Sequence, residues 1–278
     1  MNPYTLPDAE LDRLLGEDVP SGDATTAALA IGECRGRLDF RARFEMVVCG
    51  SEEAQRMGEL RGLQPVGPLL ASGSRAAAGT LLLSLEGRAA ALHAVWKTAQ
   101  TLMEYLSGIA TATADIVAAA RHGDPDCAVV CTRKNFPGTK AAAVKAVLAG
   151  GATPHRLSLS ETLLVFAEHR AFLDEAPADS VRRLRRLWPE RSLIVEVADE
   201  AEALRWAAAG ADILQLEKWP VDAVDRIARQ IPGTRIAAAG GINATNAAAY
   251  ARAGSRILVT SAPYFAGPRD VAVSLSAS

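Results

Sequence analysis

The chain predicts an α/β protein: a barrel of parallel strand-then-helix units, preceded by a smaller N-terminal module. Three observations carry that prediction. From about residue 109, apolar runs of strand length alternate with Ala-rich helical stretches, the pattern of parallel strands covered on both faces. Polar and charged residues recur just beyond several of those strands, where a barrel gathers its catalytic mouth, and this complementarity favours a closed sheet. A length of 278 residues is enough for one barrel with an attached module.

The region up to about residue 107 has a different texture. Glu10 to Leu15 predicts a short helix, and the polar run Glu17 to Thr26 a turn-rich loop. Arg37 to Val48 reads as sheet, Ser51 to Gly58 as helix, and Leu81 to Glu86 as a strand after the small-residue turn Gly73 to Gly79. Ala89 to Tyr105, rich in Ala and Leu with few breakers, predicts a long helix that begins a hinge into the second domain. Beyond it the predicted strands are Ala128 to Thr132, Arg156 to Leu159, Leu193 to Val197, Ile213 to Leu216, Arg235 to Ala239 and Ile257 to Thr260. Helices are predicted between them at Lys140 to Ala149, Glu161 to Arg170, Glu200 to Ala209, Val221 to Gln230 and Ala244 to Ala253.

Composition excludes several function classes. Lys plus Arg number 30 against 32 Asp plus Glu, a formal charge of -2, and the basic cluster Arg182 to Arg186 reads as the solvated face of a helix, so no nucleic-acid partner is expected. Apolar stretches are interrupted by charges or Gly before about 18 residues, so no membrane span is expected. Cys34, Cys49, Cys127 and Cys131 form no CxxC pair, and the start of the chain shows no basic-apolar signal segment; a reducing cytoplasm with buried thiols is expected. No GxGxxG follows an early strand, and no GxxxxGK[ST] occurs.

Candidate functional residues sit at the strand tips. Arg133 and Lys134 follow the first barrel strand; Arg offers a planar fork for carboxylate or phosphate and Lys a compact charge, with surface cations as the bland alternative. Pro137 ahead of Lys140 is helix-start chemistry whose free N–H groups suit an anion. Arg156 reads as an anion ligand, and His155 either as a site residue or as a structural hydrogen-bonder; one His without ligand neighbours makes no zinc site. Glu196 lies on the strand face opposite Val195 and Val197, and Glu217 ends the next strand. Such carboxylates hold ribose hydroxyls, hold a divalent cation bridging phosphates, or form structural ion pairs. Gly240 and Gly241 allow close backbone approach to a phosphate, and Thr260 with Ser261 one unit later strengthens a phosphate reading. Together these residues suit an anionic phosphorylated sugar donor that reacts at its anomeric carbon. Lys134 and a bound Mg²⁺ would then stabilise a departing pyrophosphate, and Glu196 or Glu217 a developing oxocarbenium ion.

These residues resemble a known family. EDVPSGDATT at 17–26, LSGIAT at 106–111, TRKNFPGTK at 132–140, GGATPHRLSLSE at 150–161, VEV at 195–197, ADILQLEKW at 211–219 and AAGGI at 238–242 are similar to the quinolinate phosphoribosyltransferase family, in particular its ModD branch, found with molybdate transport genes. The resemblance implies an N-terminal α/β sandwich (1–107) that caps substrate, an open six- or seven-stranded α/β barrel of the type II phosphoribosyltransferase kind (108–265), and a C-terminal segment (266–278) returning to the first domain. It implies a homodimer or higher oligomer in which one subunit's N-terminal domain covers the partner's barrel mouth. It also implies 5-phosphoribosyl-1-pyrophosphate as co-substrate, Mg²⁺, and conversion of quinolinate to nicotinate mononucleotide with loss of CO₂. By resemblance Arg133 and Arg156 are acceptor-carboxylate ligands, Lys134 a pyrophosphate ligand, Glu196 the ribose-side carboxylate, Gly240 and Gly241 the phosphate cradle, and His155 a pocket histidine.

Departures from the family pattern concentrate on the acceptor side. Tyr105 stands where the family has an arginine, Phe166 where it has a lysine (His169 remains), and Trp96-Lys97 where it has Glu-Arg. Its Leu-Asp-Asn is Leu216-Glu217-Lys218, and the serine before the glycine pair is Ala239. Each lost charged hydrogen bond is worth roughly 1.5–3 kcal/mol. Tyr105, Lys97 and Phe166 are therefore expected to shape a less charged acceptor pocket, and the expected activity is phosphoribosyl transfer to a different small aromatic or heterocyclic acid. The alternatives are the quinolinate reaction itself and a non-catalytic binding protein linked to metal uptake.

Overall fold

The structure, a computed structural model, describes residues 5–277. The chain divides into two compact units: residues up to 114, 135–151 and 263 onward form the first, and residues 115–134 with 152–262 the second. In chain order the elements begin with α1 (Asp8–Asp18), α2 (Ala24–Ala28), β1 (Arg35–Ala42), β2 (Met46–Val47), α3 (Ser51–Leu60), β3 (Gln64–Pro65), β4 (Arg75–Ala76), β5 (Leu81–Arg88) and α4 (Ala89–Gly123). They continue with β6 (Ala128–Cys131), α5 (Lys140–Ala149), β7 (Thr153–Pro154), β8 (Leu163–Val165), α6 (Ala167–Arg170), α7 (Pro177–Leu187), β9 (Leu193–Val197), α8 (Glu200–Ala209), β10 (Ile213–Glu217), α9 (Val221–Gln230), β11 (Arg235–Ala239), α10 (Ala247–Arg252), β12 (Ile257–Thr260) and β13 (Val271–Ala277).

The first unit is built on a four-stranded sheet of order β13-β1-β5-β3, antiparallel throughout. Alternation along β1 and β5 sends Leu38, Phe40, Leu83 and Leu85 into a core shared with Leu11 and Leu15 of α1, Met57 of α3, and Leu92, Val95 and Met103 of α4. The loop expected over 17–26 contains α2, because the Asp23 carboxylate accepts from the N–H groups of Thr25 and Thr26 and so caps a short helix. Helix α4 runs well past Tyr105. Gly108 lies inside it, and a Cβ there would come 2.4 Å from the carbonyl oxygen of Gly267; the glycine marks a close backbone approach, not a break. This unit also buries a charge cluster: Lys145 Nζ on α5 lies 2.7 Å from Glu53 Oε1 and 3.0 Å from Glu52 Oε2. Ser72 donates from both backbone and hydroxyl to Glu52.

The second unit is an open, strongly curled half-barrel of seven parallel strands, order β7-β6-β12-β11-β10-β9-β8. One strand face carries Ile194, Ile213, Ala237, Ala239 and Val259; the other carries Val195, Val197, Leu214 and Leu216 against Trp206 of α8 and Val224 and Ile227 of α9. The register aligns Glu196 with Gln215 and Ala237, and Glu217 with Ala239 and Val259, so the polar residues lie toward the strand C-termini on the first face.

The sheet is open and seven-stranded, as the family resemblance implied, and not closed as the strand tips alone suggested. Its free edges are β7 and β8, and both differ from the predicted elements. Instead of a strand over Arg156 to Leu159, the chain pairs only at Thr153–Pro154, where Pro154 lacks an N–H and so suits an edge. Instead of a helix over Glu161 to Arg170, Leu163–Val165 forms β8 and the helix is confined to Ala167–Arg170. A short apolar run does not distinguish strand from helix by spacing, and pairing with β9 decides it.

Candidate active site

Within the second unit, the C-terminal ends of the strands surround a cavity of about 730 Å³. Arg133, Lys134, His155, Arg156, Phe166, Glu196, Glu217, Gly240, Gly241, Thr260 and Ser261 all line it. Two other predicted residues do not. Lys97 and Tyr105 belong to α4 in the first unit: Lys97 donates to Gln100 and lies 5.1 Å from the Trp96 ring centre, and Tyr105 is 58% exposed. The cavity also takes in Gln215, Glu168 and Asn243, which sequence reasoning missed. Gln215 had a readable signal, since it lies two residues before Glu217 on the same strand face.

The cationic end is delivered by β6 and β7. Arg133 and Lys134 are exposed just past β6, where the Lys134 N–H donates to Thr132 Oγ1 at 3.3 Å. The backbone N–H of His155 donates to the Cys131 carbonyl at 2.8 Å, which continues the β7 pairing and fixes where Arg156 emerges. Arg156 is only 8% exposed, yet among the described residues it has no carboxylate partner; its guanidinium carbon sits 5.7 Å from the centre of the Phe166 ring. That ring stacks on His169 at 5.8 Å, and the Phe166 N–H donates to His169 Nδ1 at 3.0 Å. Burial, then the charges of Arg156 and Arg133, push the His155 pKa down to about 4, so the imidazole is neutral near pH 7. Burial and Arg133 likewise lower the pKa of Arg156, although a guanidinium remains charged.

The carboxylate wall comes from β9 and β10. Gln215 Nε2 donates to Glu196 Oε2 at 2.8 Å, which orients that carboxylate. Burial, with Glu217 and Glu168 as like-charged neighbours, raises the Glu196 pKa; the bond from Gln215 opposes this and does not cancel it. The third wall is the loop after β11. Gly240 and Gly241 have φ of 82° and 80°, and a Cβ on Gly240 would lie 2.7 Å from Glu217 Oε1 and 2.6 Å from Lys218 Cγ. Asn243 and Asn246 side-chain amides both donate to the Gly241 carbonyl, holding the turn. The Thr260 hydroxyl donates to the Ile242 carbonyl at 2.7 Å and accepts from the Ala262 N–H at 3.0 Å, so it ties the loop after β11 to that after β12.

A cavity with uncompensated cations at one wall, paired carboxylates at another and a glycine turn at the third can hold a polyanion by its phosphates and a second anion by its carboxylate. Among the described residues there is no group of three or more His, Cys, Asp or Glu that could hold a metal ion, and no helix is long and apolar enough to cross a membrane.

Comparison with known proteins is in keeping with this arrangement. Residues 109–274 match the family model for the quinolinate phosphoribosyl transferase C-terminal domain, and residues 23–107 the model for the N-terminal domain. The chain is 48% identical over 257 residues to the Rhodobacter capsulatus protein named "Putative pyrophosphorylase ModD", covering 91% of this chain and 99% of that protein. It is 31% identical over 257 residues to the probable carboxylating nicotinate-nucleotide pyrophosphorylase of Methanothermobacter thermautotrophicus, covering 88% and 90% of the two chains. The crystal structure of NadC from Streptococcus pyogenes superposes with a TM-score of 0.90 at 27% identity, covering 98% of this chain and 96% of that one. With both of its domain models matched across most of its length, the chain belongs to the quinolinate phosphoribosyltransferase family.

Proposed function

We propose that the protein is a phosphoribosyltransferase that moves the phosphoribosyl group of 5-phosphoribosyl-1-pyrophosphate onto quinolinate, releasing pyrophosphate and CO₂. The observation that carries this reading is the sharing of one cavity by Arg133, Lys134 and Arg156, Glu196 and Glu217, and the Gly240–Gly241 turn. Family membership supports quinolinate as acceptor better than the altered acceptor expected from Phe166 and Tyr105.

In the proposed reaction the bond from the ribose anomeric carbon to pyrophosphate breaks and a bond to the pyridine nitrogen forms; the bond from C2 to its carboxylate then breaks to release CO₂, the electron pair left on C2 is stabilised by the adjacent pyridinium nitrogen, and a proton from solvent water fills C2. During the transfer, charge develops in two places. Lys134 faces the departing pyrophosphate and stabilises its negative charge, while Glu196, held by Gln215, faces the oxocarbenium character of the ribose. Arg133 and Arg156 hold the acceptor carboxylates and so fix the nitrogen for in-line attack. Neutral His155 donates a hydrogen bond without adding charge. The Gly240–Gly241 turn receives the 5-phosphate on backbone N–H groups, and Thr260 with Ser261 shapes its far side.

Glu196 and Glu217 supply two carboxylates on neighbouring strands and, among the described residues, no group of three such ligands forms; these two would hold a magnesium ion. Such an ion would neutralise charge on the leaving pyrophosphate. We take the assembly to be a homodimer in which residues 1–107 cap the partner's cavity and bring Lys97 and Tyr105 to its acceptor side. Mixing Lys134→Ala with Tyr105→Ala protein should then restore activity in hybrid dimers; additive residual activities would reject shared sites.

A second reading keeps the same donor but a less charged aromatic acid as acceptor, and the Phe166 ring against Arg156 favours it. One assay separates the two: pyrophosphate release with the ribosyl donor and Mg²⁺, using quinolinate beside a panel of aromatic acids. Formation of nicotinate mononucleotide from quinolinate is the expected result. Turnover with another acid but not quinolinate would select the second reading, and failure to bind the donor would reject both.

A further inference from the structure

Lys218, one residue past β10, lines the main cavity in a backbone conformation that lysine rarely adopts. Its φ is 60°, in the left-handed region that favours glycine, and among the described residues Ala30 is the only other non-glycine residue with a positive φ. The conformation is held from both sides. The Lys218 N–H donates to the Ala239 carbonyl at 2.7 Å, and the next residue, Trp219, is buried with its carbonyl accepting from the Tyr250 hydroxyl at 2.9 Å. Strain of this kind persists only where the surrounding structure fixes it, and it gathers where a side chain is presented to a ligand.

What this turn presents is a cation. Of the Lys and Arg side chains that line the cavity, Arg133, Lys134 and Arg156 come from the loops after β6 and β7, and Lys218 alone from the wall of β9, β10 and β11. Lys218 is exposed, and among the described residues no carboxylate forms an ion pair with it. Its stem lies over Gly240, where a Cβ would come 2.6 Å from Lys218 Cγ and 2.7 Å from Glu217 Oε1. The glycine turn is therefore flanked by a carboxylate, which repels a phosphate dianion, and by the one cation its own wall supplies to offset that repulsion. We propose that Lys218 is a phosphate ligand that, with the N–H groups of the Gly240–Gly241 turn, holds the 5-phosphate of the ribosyl donor; the identity of that ligand rests on the phosphoribosyl transfer proposed above. The N–H groups grip phosphate oxygens directionally, and the ammonium, a compact charge on a flexible stem, balances Glu217. The two lysines then serve opposite ends of the donor: Lys218 the 5-phosphate, and Lys134, three strands away in the sheet order, the pyrophosphate.

Ribose 5-phosphate and inorganic pyrophosphate, one for each end of the donor, are the probes, titrated calorimetrically into the intact wild-type protein, Lys218→Asn, Lys218→Arg and Lys134→Ala. Asparagine tolerates the left-handed conformation, so Lys218→Asn removes the ammonium and keeps the turn. Affinity for ribose 5-phosphate should fall at least about fivefold in Lys218→Asn, return to within about threefold of wild type in Lys218→Arg, and stay within about threefold in Lys134→Ala. Pyrophosphate should show the reverse: within about threefold of wild type in Lys218→Asn, and at least about fivefold weaker in Lys134→Ala. In urea, Lys218→Asn should unfold at the wild-type midpoint or above it, because the strained backbone is relieved. A lower midpoint together with no rescue by Lys218→Arg would make the lysine part of the turn's packing and overturn its role as a ligand. Unchanged ribose 5-phosphate affinity in Lys218→Asn, or loss of pyrophosphate in its place, would overturn the assignment and leave the proposed transfer standing. Failure of the wild-type protein to bind both ribose 5-phosphate and the ribosyl donor would overturn the two together. None of these titrations needs turnover, so they read Lys218 even if quinolinate proves not to be the acceptor.

Discussion

Lys145 in the first unit and Arg156 in the second are both buried cations, and they differ in what surrounds them. Lys145 is 1% exposed and closed in by two carboxylates, Glu53 itself 2% exposed. Burial works against its charge, but Glu53 and Glu52 outweigh burial and raise its pKa. Arg156 has an aromatic ring, a neutral imidazole and another arginine near it, and its pKa is lowered. In one unit the chain satisfies a buried charge from within; in the other it leaves the charge for something that arrives. A buried charge is thus no mark of function by itself; a buried charge with no carboxylate partner among the described residues is a candidate for one.

The most severe way to break this comparison is Lys145→Met, which strands the buried Glu53 carboxylate beside half-buried Glu52. A loss of about 3–5 kcal/mol is expected in urea unfolding. Arg156→Met should do the opposite: stability within about 1 kcal/mol of wild type, with acceptor affinity down roughly 10- to 150-fold by calorimetry. Loss of stability in Arg156→Met would mean that the guanidinium is structural after all.

Gly240→Ala introduces a methyl against Glu217 in a backbone conformation that disfavours side chains. Donor affinity should fall roughly 5- to 100-fold while the circular dichroism spectrum is kept. Phe166→Leu removes the ring under Arg156 and should raise the acceptor KM about two- to fivefold with kcat little changed, and Phe166→Tyr should restore it. An unchanged KM in Phe166→Leu would reduce that ring to packing.

The smallest effect is one of pH. Glu196 has a raised pKa, so if its charged form is required, kcat/KM rises with pH through a limb above the ordinary glutamate range. Glu217→Gln removes a like charge and should move that limb to lower pH. A stationary limb would assign it to another group; His155, with a pKa near 4, contributes none close to the usual histidine value.

Much of the second unit was legible because β9 to β12 are short apolar runs separated by amphipathic or Ala-rich helices, and period and length agree there. Legibility failed at the two edges. Pro154 allowed only a two-residue pairing, and Leu163 to Val165 had apolar spacing compatible with either helix or strand. The long helix was expected to end near Tyr105, whereas it runs on to Gly123, with Gly108 inside it where the Gly267 carbonyl passes. The cavity's charged residues were found because each sits one step past an apolar strand. Gln215 was missed because an amide gives no charge signal, although it is what orients Glu196.

By itself the sequence determined the parallel α/β character, the order of the central strands and which charged side chains stand at their tips, since these follow from local periodicity and from the cost of burying charge along a strand. Only the tertiary structure decided which strands form the free edges β7 and β8, that Thr260 spends its hydroxyl on a neighbouring loop, and that Arg156 lines two cavities with no carboxylate partner among the described residues. Those outcomes depend on which distant groups come within a few ångströms of each other, and spacing along a chain does not carry that distance.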